Sequence, residues 1–132
     1  MSPVAFSVQS RSRSCFCNIT SETKELVHKC GVEEGVCILF VPHTTCALTL
    51  CENSDPDVKR DILFAMDRFV PNVDFKHFEG NSDSHTKSST FGFSLMLLIQ
   101  DGEILLGRWQ DIYLADFDGP RTRTVYVKVM AG

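Results

Sequence analysis

The run Gly35-Val36-Cys37-Ile38-Leu39-Phe40-Val41 decides the fold that this sequence predicts. It is continuous, apolar and rich in β-forming residues, which is typical of a central strand buried on both faces. Pro42 ends the run, because proline cannot donate to a strand ladder and restricts the residue before it. We therefore expect a sheet built around residues 35–41, with the polar residues that follow Pro42 at its rim.

Further strands are predicted on both sides of this run. Alternation of apolar and polar residues predicts strands at residues 4–10 and 13–19, joined as an antiparallel hairpin. Strong β-formers and turn signals such as Asp101-Gly102 predict five more. These lie at residues 46–50, 91–99, 103–106, 112–117 and 124–130.

Two helices are predicted from capping residues and apolar spacing. The first begins at Thr20, where hydroxyl side chains can cap it, and continues until Gly31 stops it. The second follows a cap at Ser54 or Asp55, has Pro56 in its first turn, and continues to about residue 69.

Residues 71–90 lack sustained apolar periodicity and predict a loop of about twenty residues, which a compact domain keeps for a functional reason. Eight strands and two helices favour an α+β fold, a mostly antiparallel β-sandwich with the helices at one side. A length of 132 residues predicts one domain, residues 1–132, without linkers.

Composition excludes several classes of function. A formal net charge of −4 with scattered Lys and Arg argues against binding to nucleic acid or to an anionic membrane. No apolar run approaches the roughly 20 residues of a membrane helix. The first residues show no secretory signal, so a cytoplasmic location is expected.

The six cysteines include no Cys-x-x-Cys pair, and most read as small buried hydrophobic residues. Cys15 and Cys17 are expected on one face of a strand. A structural zinc site built from thiolates is the weaker alternative.

The stretch from His77 to His85 concentrates polar chemistry in nine residues, with two imidazoles, two carboxylates and an amide. His43 follows the central strand, and three imidazoles on one site would suit a divalent metal ion such as zinc. The competing interpretation is a polar loop with two solvated histidines, because their spacing matches no standard metal motif.

Five blocks of this sequence, in this order and spacing, resemble the YjbQ family over nearly the whole chain. They are Val41-Pro42-His43-Thr44-Thr45, Glu52-Asn53-Ser54-Asp55-Pro56-Asp57-Val58, His77 to His85 with Gly80, Asn81 and Asp83, Gly107 with Trp109-Gln110, and Phe117-Asp118-Gly119-Pro120-Arg121. Members of that family are described as secondary thiamine-phosphate synthase enzymes. The resemblance implies a jelly-roll-like sandwich, a homotrimer, and a site with bound metal or anion near the histidines.

Carried over position by position, the family's motif residues give a candidate site. His43, His77 and His85 are the predicted metal ligands. Catalytic roles are predicted for Glu52, Asp83 and Arg121, and substrate-binding roles for Thr44, Thr45, Asn53, Asn81, Trp109 and Gln110. The chain departs from the family at Cys46 and Ala47, which places a thiol near the site.

The implied reaction joins a pyrimidine diphosphate to a thiazole phosphate with loss of pyrophosphate. Arg121 would face the leaving group and Trp109 the pyrimidine, while Glu52 or Asp83 would orient a ligand or act as a general base. The other explanation for Trp109 is core or interface packing, and for Arg121 a carboxylate partner. Glu52 and Asn53 are expected beside His43, because a strand end leads straight into a helix cap there.

Two functions stay open. One is a metal-dependent enzyme acting on a small phosphorylated or heterocyclic substrate. The other is a non-catalytic oligomeric protein that binds a small ligand or a metal.

Overall fold

Eight strands and three helices make up the described part of the chain, which in this computed structural model comprises residues 2–72, 75–77 and 79–132. In chain order the elements are β1 Val4–Gln9, β2 Cys15–Asn18, α1 Thr20–Cys30, β3 Gly35–Phe40, β4 Cys46–Glu52, α2 Pro56–Phe69, α3 Ser82–Phe91, β5 Ser94–Gln100, β6 Glu103–Ile104, β7 Gln110–Asp116 and β8 Thr122–Ala131. The α+β prediction is confirmed, with one helix more than the sequence predicted.

The strands form two antiparallel sheets. The larger has the order β1-β8-β3-β5-β6 and the smaller has the order β2-β7-β4. Leu39 and Val127 of the larger sheet and Leu48 and Leu114 of the smaller sheet belong to one buried cluster. The sheets therefore pack face to face, as predicted, and α1 contributes Val27 to the same core.

The predicted hairpin between the first two strands is wrong. β1 pairs with β8, whereas β2 pairs with β7 in the other sheet. Alternating hydrophobicity identifies a strand but not its partner, and both strands bury one face in the shared core from opposite sides. Residues 10–14 cross between the sheets, which stack about 10 Å apart in such sandwiches.

β3 is the central strand of its sheet, as predicted, but only one of its faces is buried. Cys37 and Leu39 on the inner face are fully buried, whereas Phe40 on the outer face is 46% exposed. The prediction that β3 is buried on both faces is wrong for the single chain. α2 and α3 pack against β4 of the smaller sheet and α1 joins the core, so these helices do not cover the outer face of β3. The outer face of the larger sheet is thus left open over β3 and β5.

α1 and α2 follow their predicted boundaries. α1 ends at Cys30, and Gly31 after it takes the left-handed conformation with φ of 68°. α2 begins after Asp55, whose carboxylate accepts a hydrogen bond from the Asp57 backbone N–H. Within the described ranges no helix combines the length and the apolar character that crossing a membrane requires.

α3 corrects the prediction that residues 71–90 form a loop. It begins at Ser82, and its buried residues are Asp83, Ser84, Lys87 and Ser88. These repeat at helical spacing, but they are polar, so a search for apolar periodicity does not find them. The polar buried face is stabilised by hydrogen bonds and ion pairs instead of by apolar packing.

Candidate functional site

A polar pocket of about 360 Å³ opens at the end of the sandwich where β3 and β7 end and β4 and β8 begin. Its lining residues are Pro42, His43, Thr44, Thr45, Glu79, Asn81, His85, Asp118, Arg121 and Arg123. Five sequence-predicted residues besides Arg121 are among them, namely His43, Thr44, Thr45, Asn81 and His85. The sandwich thus brings the segment after β3, the start of α3 and the turn after β7 to one place.

A buried ion pair lies behind this pocket. Asp116 is fully buried, and Arg123 contacts both of its oxygens, with Nε 2.9 Å from Oδ2 and Nη2 2.8 Å from Oδ1. Burial acts to raise the pKa of Asp116, but the hydrogen bonds from Arg123 and the Asp118 backbone outweigh it, so the pKa is lowered. Arg123 also donates to the Thr45 hydroxyl at 2.8 Å, which fixes the pocket wall.

His43 is held as a neutral hydrogen-bonding group. Its Nε2 accepts the Thr124 backbone N–H at 2.9 Å. Burial, and then the positive charge of Arg123, lower the pKa of His43 from its ordinary value. A neutral imidazole whose Nε2 accepts must carry its proton on Nδ1, so His43 can offer an N–H donor.

Asp118 connects the turn after β7 to α3. Its Oδ2 accepts from Arg121 Nη2 at 3.1 Å and from Asn81 Nδ2 at 2.9 Å. These bonds set the orientation of the Asn81 amide. Asn81 Oδ1 is then buried, and no donor among the described residues reaches it. Asn81 lines the pocket, so the pocket wall contains a buried acceptor that no described donor satisfies.

The turn that presents Asp118 and Arg121 is packed tightly against the segment after β1. The Ser10 hydroxyl donates to the Arg121 carbonyl and accepts the Arg121 backbone N–H. A Cβ at Gly119 would lie 2.3 Å from the Ser12 carbonyl oxygen, so only glycine fits there. The backbone of this turn is fixed independently of the Arg121 side chain.

His77 and His85 lie side by side, with ring centroids 5.7 Å apart. His77 Nε2 is 3.9 Å from Glu79 Oε1. Two imidazoles on one tetrahedral zinc ion, with Zn–N of about 2.0–2.1 Å, would place their ring centres about 5 Å apart, so the separation of this pair allows a shared ion.

The three-histidine set predicted from the sequence is not gathered. The Nε2 lone pair of His43 is committed to Thr124, so His43 does not fit as a ligand through that nitrogen. In residues 2–72, 75–77 and 79–132, no group of three or more His, Cys, Asp or Glu side chains is placed to hold a metal ion.

Asp83 lies in an ion-pair network instead of on the pocket wall. It is 2% exposed, and its two oxygens each accept a bond of 3.1 Å from Arg13. Lys87, one helical turn later, is 3.5 Å from Asp83 and also pairs with Asp67. The contacts of Asp83 attach α3 to the segment before β2.

Four predicted residues lie at the other end of the smaller sheet. Glu52 pairs with Gln110 in the β4–β7 register, and the Asn53 backbone N–H donates a hydrogen bond of 3.0 Å to the Trp109 carbonyl oxygen. The prediction that Glu52 and Asn53 lie beside His43 is wrong, because the seven residues of β4 separate them by about 20 Å.

The contacts at this far end are structural. The Glu52 carboxylate accepts the backbone N–H groups of Ser54 and Asp55 before α2. Trp109 is 53% exposed, and the Arg108 guanidinium lies over its ring. Neither Trp109 nor Gln110 belongs to the pocket wall.

Sequence reasoning missed three residues of the pocket lining, Glu79, Asp118 and Arg123, and the buried Asp116 behind them. A signal was present in the sequence. Two acidic residues two positions apart, Asp116 and Asp118, precede one turn, and two basic residues two positions apart, Arg121 and Arg123, follow it. Because strand residues two apart share a face, the acidic and basic pairs could have been matched.

The family match covers almost the whole chain. The profile of the UPF0047 protein YjbQ-like family matches residues 4–132. The UPF0047 protein MJ1081 of Methanocaldococcus jannaschii is 42% identical over 126 residues, 95% of this chain and 91% of that protein. The UPF0047 protein YugU of Bacillus subtilis is 41% identical over 126 residues, 93% of this chain and 95% of that protein.

Solved structures share the fold. An uncharacterised conserved protein of the YjbQ/UPF0047 family from Clostridium acetobutylicum has a TM-score of 0.94 and 44% identity, covering 96% of this chain and 99% of that one. A hypothetical protein from Aeropyrum pernix has a TM-score of 0.94 at 27% identity, and each chain is covered completely. The likeness therefore extends from the core to the segments that form the pocket.

Proposed function

Because this chain belongs to the YjbQ-like UPF0047 family, we propose that its pocket binds a small phosphorylated heterocyclic substrate and that the protein has thiamine-phosphate synthase activity. The observation that carries the proposal is the combination of donors with an unpaired acceptor in one pocket. The donors are the Arg121 guanidinium and the neutral imidazole of His43, and the acceptor is Asn81 Oδ1.

The donors suit the phosphate groups of such a substrate. Arg121 is attached to Asp118 at the mouth of the pocket, and guanidinium groups bind phosphate oxygens through charge-assisted hydrogen bonds. His43 adds an N–H donor, and Thr44 adds a hydroxyl group. Arg123 is occupied by Asp116, so its contribution is the fixed pocket wall.

The acceptor suits the heterocycle. Asn81 Oδ1 could accept a hydrogen bond from the amino group of a pyrimidine. Without such a donor this buried oxygen stays unpaired, which costs free energy. In the proposed reaction the thiazole nitrogen donates its electron pair to the methylene carbon of the pyrimidine. The bond from that carbon to the pyrophosphate oxygen breaks, and the electron pair leaves with pyrophosphate, whose growing charge Arg121 and His43 would stabilise.

A divalent ion such as zinc stays part of the proposal. His77 and His85 would hold it, and its chemistry there would be to polarise a phosphate oxygen. Metal analysis of the purified protein and of the His77→Ala and His85→Ala variants tests this part. Equal metal content in the wild type and both variants would exclude these ligands.

The activity is tested by measuring thiamine phosphate formed from the pyrimidine diphosphate and the thiazole phosphate. We expect product from the wild type and a loss of about 10- to 100-fold in His85→Ala. His28→Ala is the matched control, because His28 is exposed on α1 and does not line the pocket. Binding of the pyrimidine diphosphate without product would instead favour the non-catalytic ligand-binding function.

We also propose that the protein assembles as a homotrimer. The outer face of the larger sheet supports this, because Met96 is 71% exposed and Leu98 is 57% exposed. Across the β3–β5 register they lie beside Ile38 and Val36, and Phe40 follows on β3. A contiguous apolar face of this kind is typical of a subunit interface.

Light scattering should therefore give three times the mass of one chain. Met96→Glu would place a charge in the apolar face, so the variant should dissociate at low protein concentration. Lys24→Glu, an exposed position on α1, serves as the control and should keep the wild-type mass. A monomeric wild type, or a Met96→Glu variant that stays fully assembled, would contradict the proposal.

A further inference from the structure

Cys15 and Cys17 form a thiol pair on β2 that the proposed function does not use. Their Sγ atoms lie 4.0 Å apart. Residues two apart on a strand present their side chains on the same face. Both side chains are half-buried, so each keeps part of its surface in contact with solvent.

Strand geometry argues against a disulfide at this position. Two residues apart on a strand, the Cα atoms are about 6.6–6.8 Å apart, at the upper limit of about 4.4–6.8 Å for a disulfide. The two Cβ directions are parallel, which keeps the Cβ atoms apart as well. β2 is fixed by its pairing of Cys15 with Asp116 and Cys17 with Leu114, so an S–S bond would require β2 to leave β7.

The same geometry suits a metal ion shared by the two sulfur atoms. With metal–sulfur bonds of about 2.3 Å, sulfur atoms 4.0 Å apart subtend an angle of about 120° at the ion. This angle leaves one position of a three-coordinate site open to a ligand from solution. Thiolates are soft ligands that select Cu(I), an ion that is stable with only two or three ligands.

We propose that Cys15 and Cys17 bind one soft, thiophilic metal ion of the Cu(I) type. Cys46 shares the row of Cys15 across β7, but two strand spacings place it about 10 Å away. No other His, Cys, Asp or Glu of the described chain completes a group of three with the pair.

The two thiols share a hydrogen bond that a bound ion would replace. Binding of Cu(I) forms two Cu–S bonds, releases to solvent the protons that the sulfur atoms carry, and transfers no electron.

The test is an anaerobic titration of the full chain with Cu(I) against a chromogenic Cu(I) chelator. The wild type should bind one equivalent of Cu(I) and release thiol protons as it binds. Cys15→Ser and Cys17→Ser should each lower the affinity by at least about 10-fold. Cys51→Ser is the matched control, because Cys51 is also half-buried but lies at the far end of β4.

An affinity in Cys15→Ser or Cys17→Ser equal to that of the wild type would overturn the proposal. If a variant fails to fold by circular dichroism, alkylation of the native protein decides instead. One equivalent of Cu(I) should protect Cys15 and Cys17 from iodoacetamide and leave Cys51 reactive, as read by peptide mass spectrometry. Equal alkylation of the pair with and without Cu(I) would overturn it.

Discussion

Replacing Arg123 by Met is expected to lower the free energy of unfolding by about 3–5 kcal/mol at neutral pH, because it leaves the fully buried Asp116 carboxylate without its partner. Met keeps much of the side-chain volume, so the loss comes from the uncompensated charge. Chemical denaturation followed by circular dichroism measures it. Arg60→Met is the matched control, since Arg60 pairs with Asp57 on the exposed surface and should contribute far less.

The cost of Arg123→Met should also depend on pH. In the wild type the lowered pKa of Asp116 contributes stability above the ordinary value of about 3.9 and loses it as the pH falls toward the folded pKa. Without Arg123, burial raises the pKa of Asp116, so acid neutralises the unpaired carboxylate. The difference between variant and wild type should therefore shrink on acidification, and an effect no larger than that of Arg60→Met at any pH would contradict this account.

Gly35→Ala is expected to destabilise the fold by about 3 kcal/mol or more, because a Cβ there overpacks the start of the central strand β3 against β8. The Cβ would lie 2.0 Å from the Met130 carbonyl oxygen and 3.1 Å from the Ala131 Cα. Both are backbone atoms of β8, so no side-chain rotation relieves the clash. β3 and β8 would have to separate at this point.

Gly31→Ala gives the comparison for this second stability measurement. A Cβ at Gly31 meets nothing within 4 Å, and its cost is only that of the positive φ at the end of α1. Thermal unfolding of both variants should show the larger loss for Gly35→Ala. A smaller loss for Gly35→Ala than for Gly31→Ala would mean that the sheet accommodates the methyl group.

Hydrophobic patterning was sufficient to predict the strands and the first two helices. The alternation in β1 and the capping of α2 by Asp55 depend on neighbours in sequence, and both are as predicted. Pairing was not predictable in this way, because β1 and β2 meet partners more than ninety positions away in sequence. α3 escaped prediction since polar side chains such as Lys87 form its buried face.

The candidate site was predicted in part for similar reasons. His43 lies in the connection after β3 and His85 lies in the polar helix α3, and the sandwich brings both to one pocket. Glu52 was misplaced because adjacency in sequence was taken as adjacency in space, although a full strand intervenes. The ion pair of Asp116 and Arg123 spans the turn after β7, and its burial follows only from the packing of the two sheets.

The central claim is that this pocket binds phosphate groups through Arg121. Isothermal titration calorimetry with inorganic pyrophosphate tests it most directly, using the wild type, Arg121→Gln and the control Arg108→Gln. Arg108 is exposed over the ring of Trp109 at the opposite end of the smaller sheet. We predict one site per chain in the wild type and in Arg108→Gln, and binding weakened by about 10- to 100-fold in Arg121→Gln. No binding by the wild type, or equal affinity in Arg121→Gln, would contradict the claim.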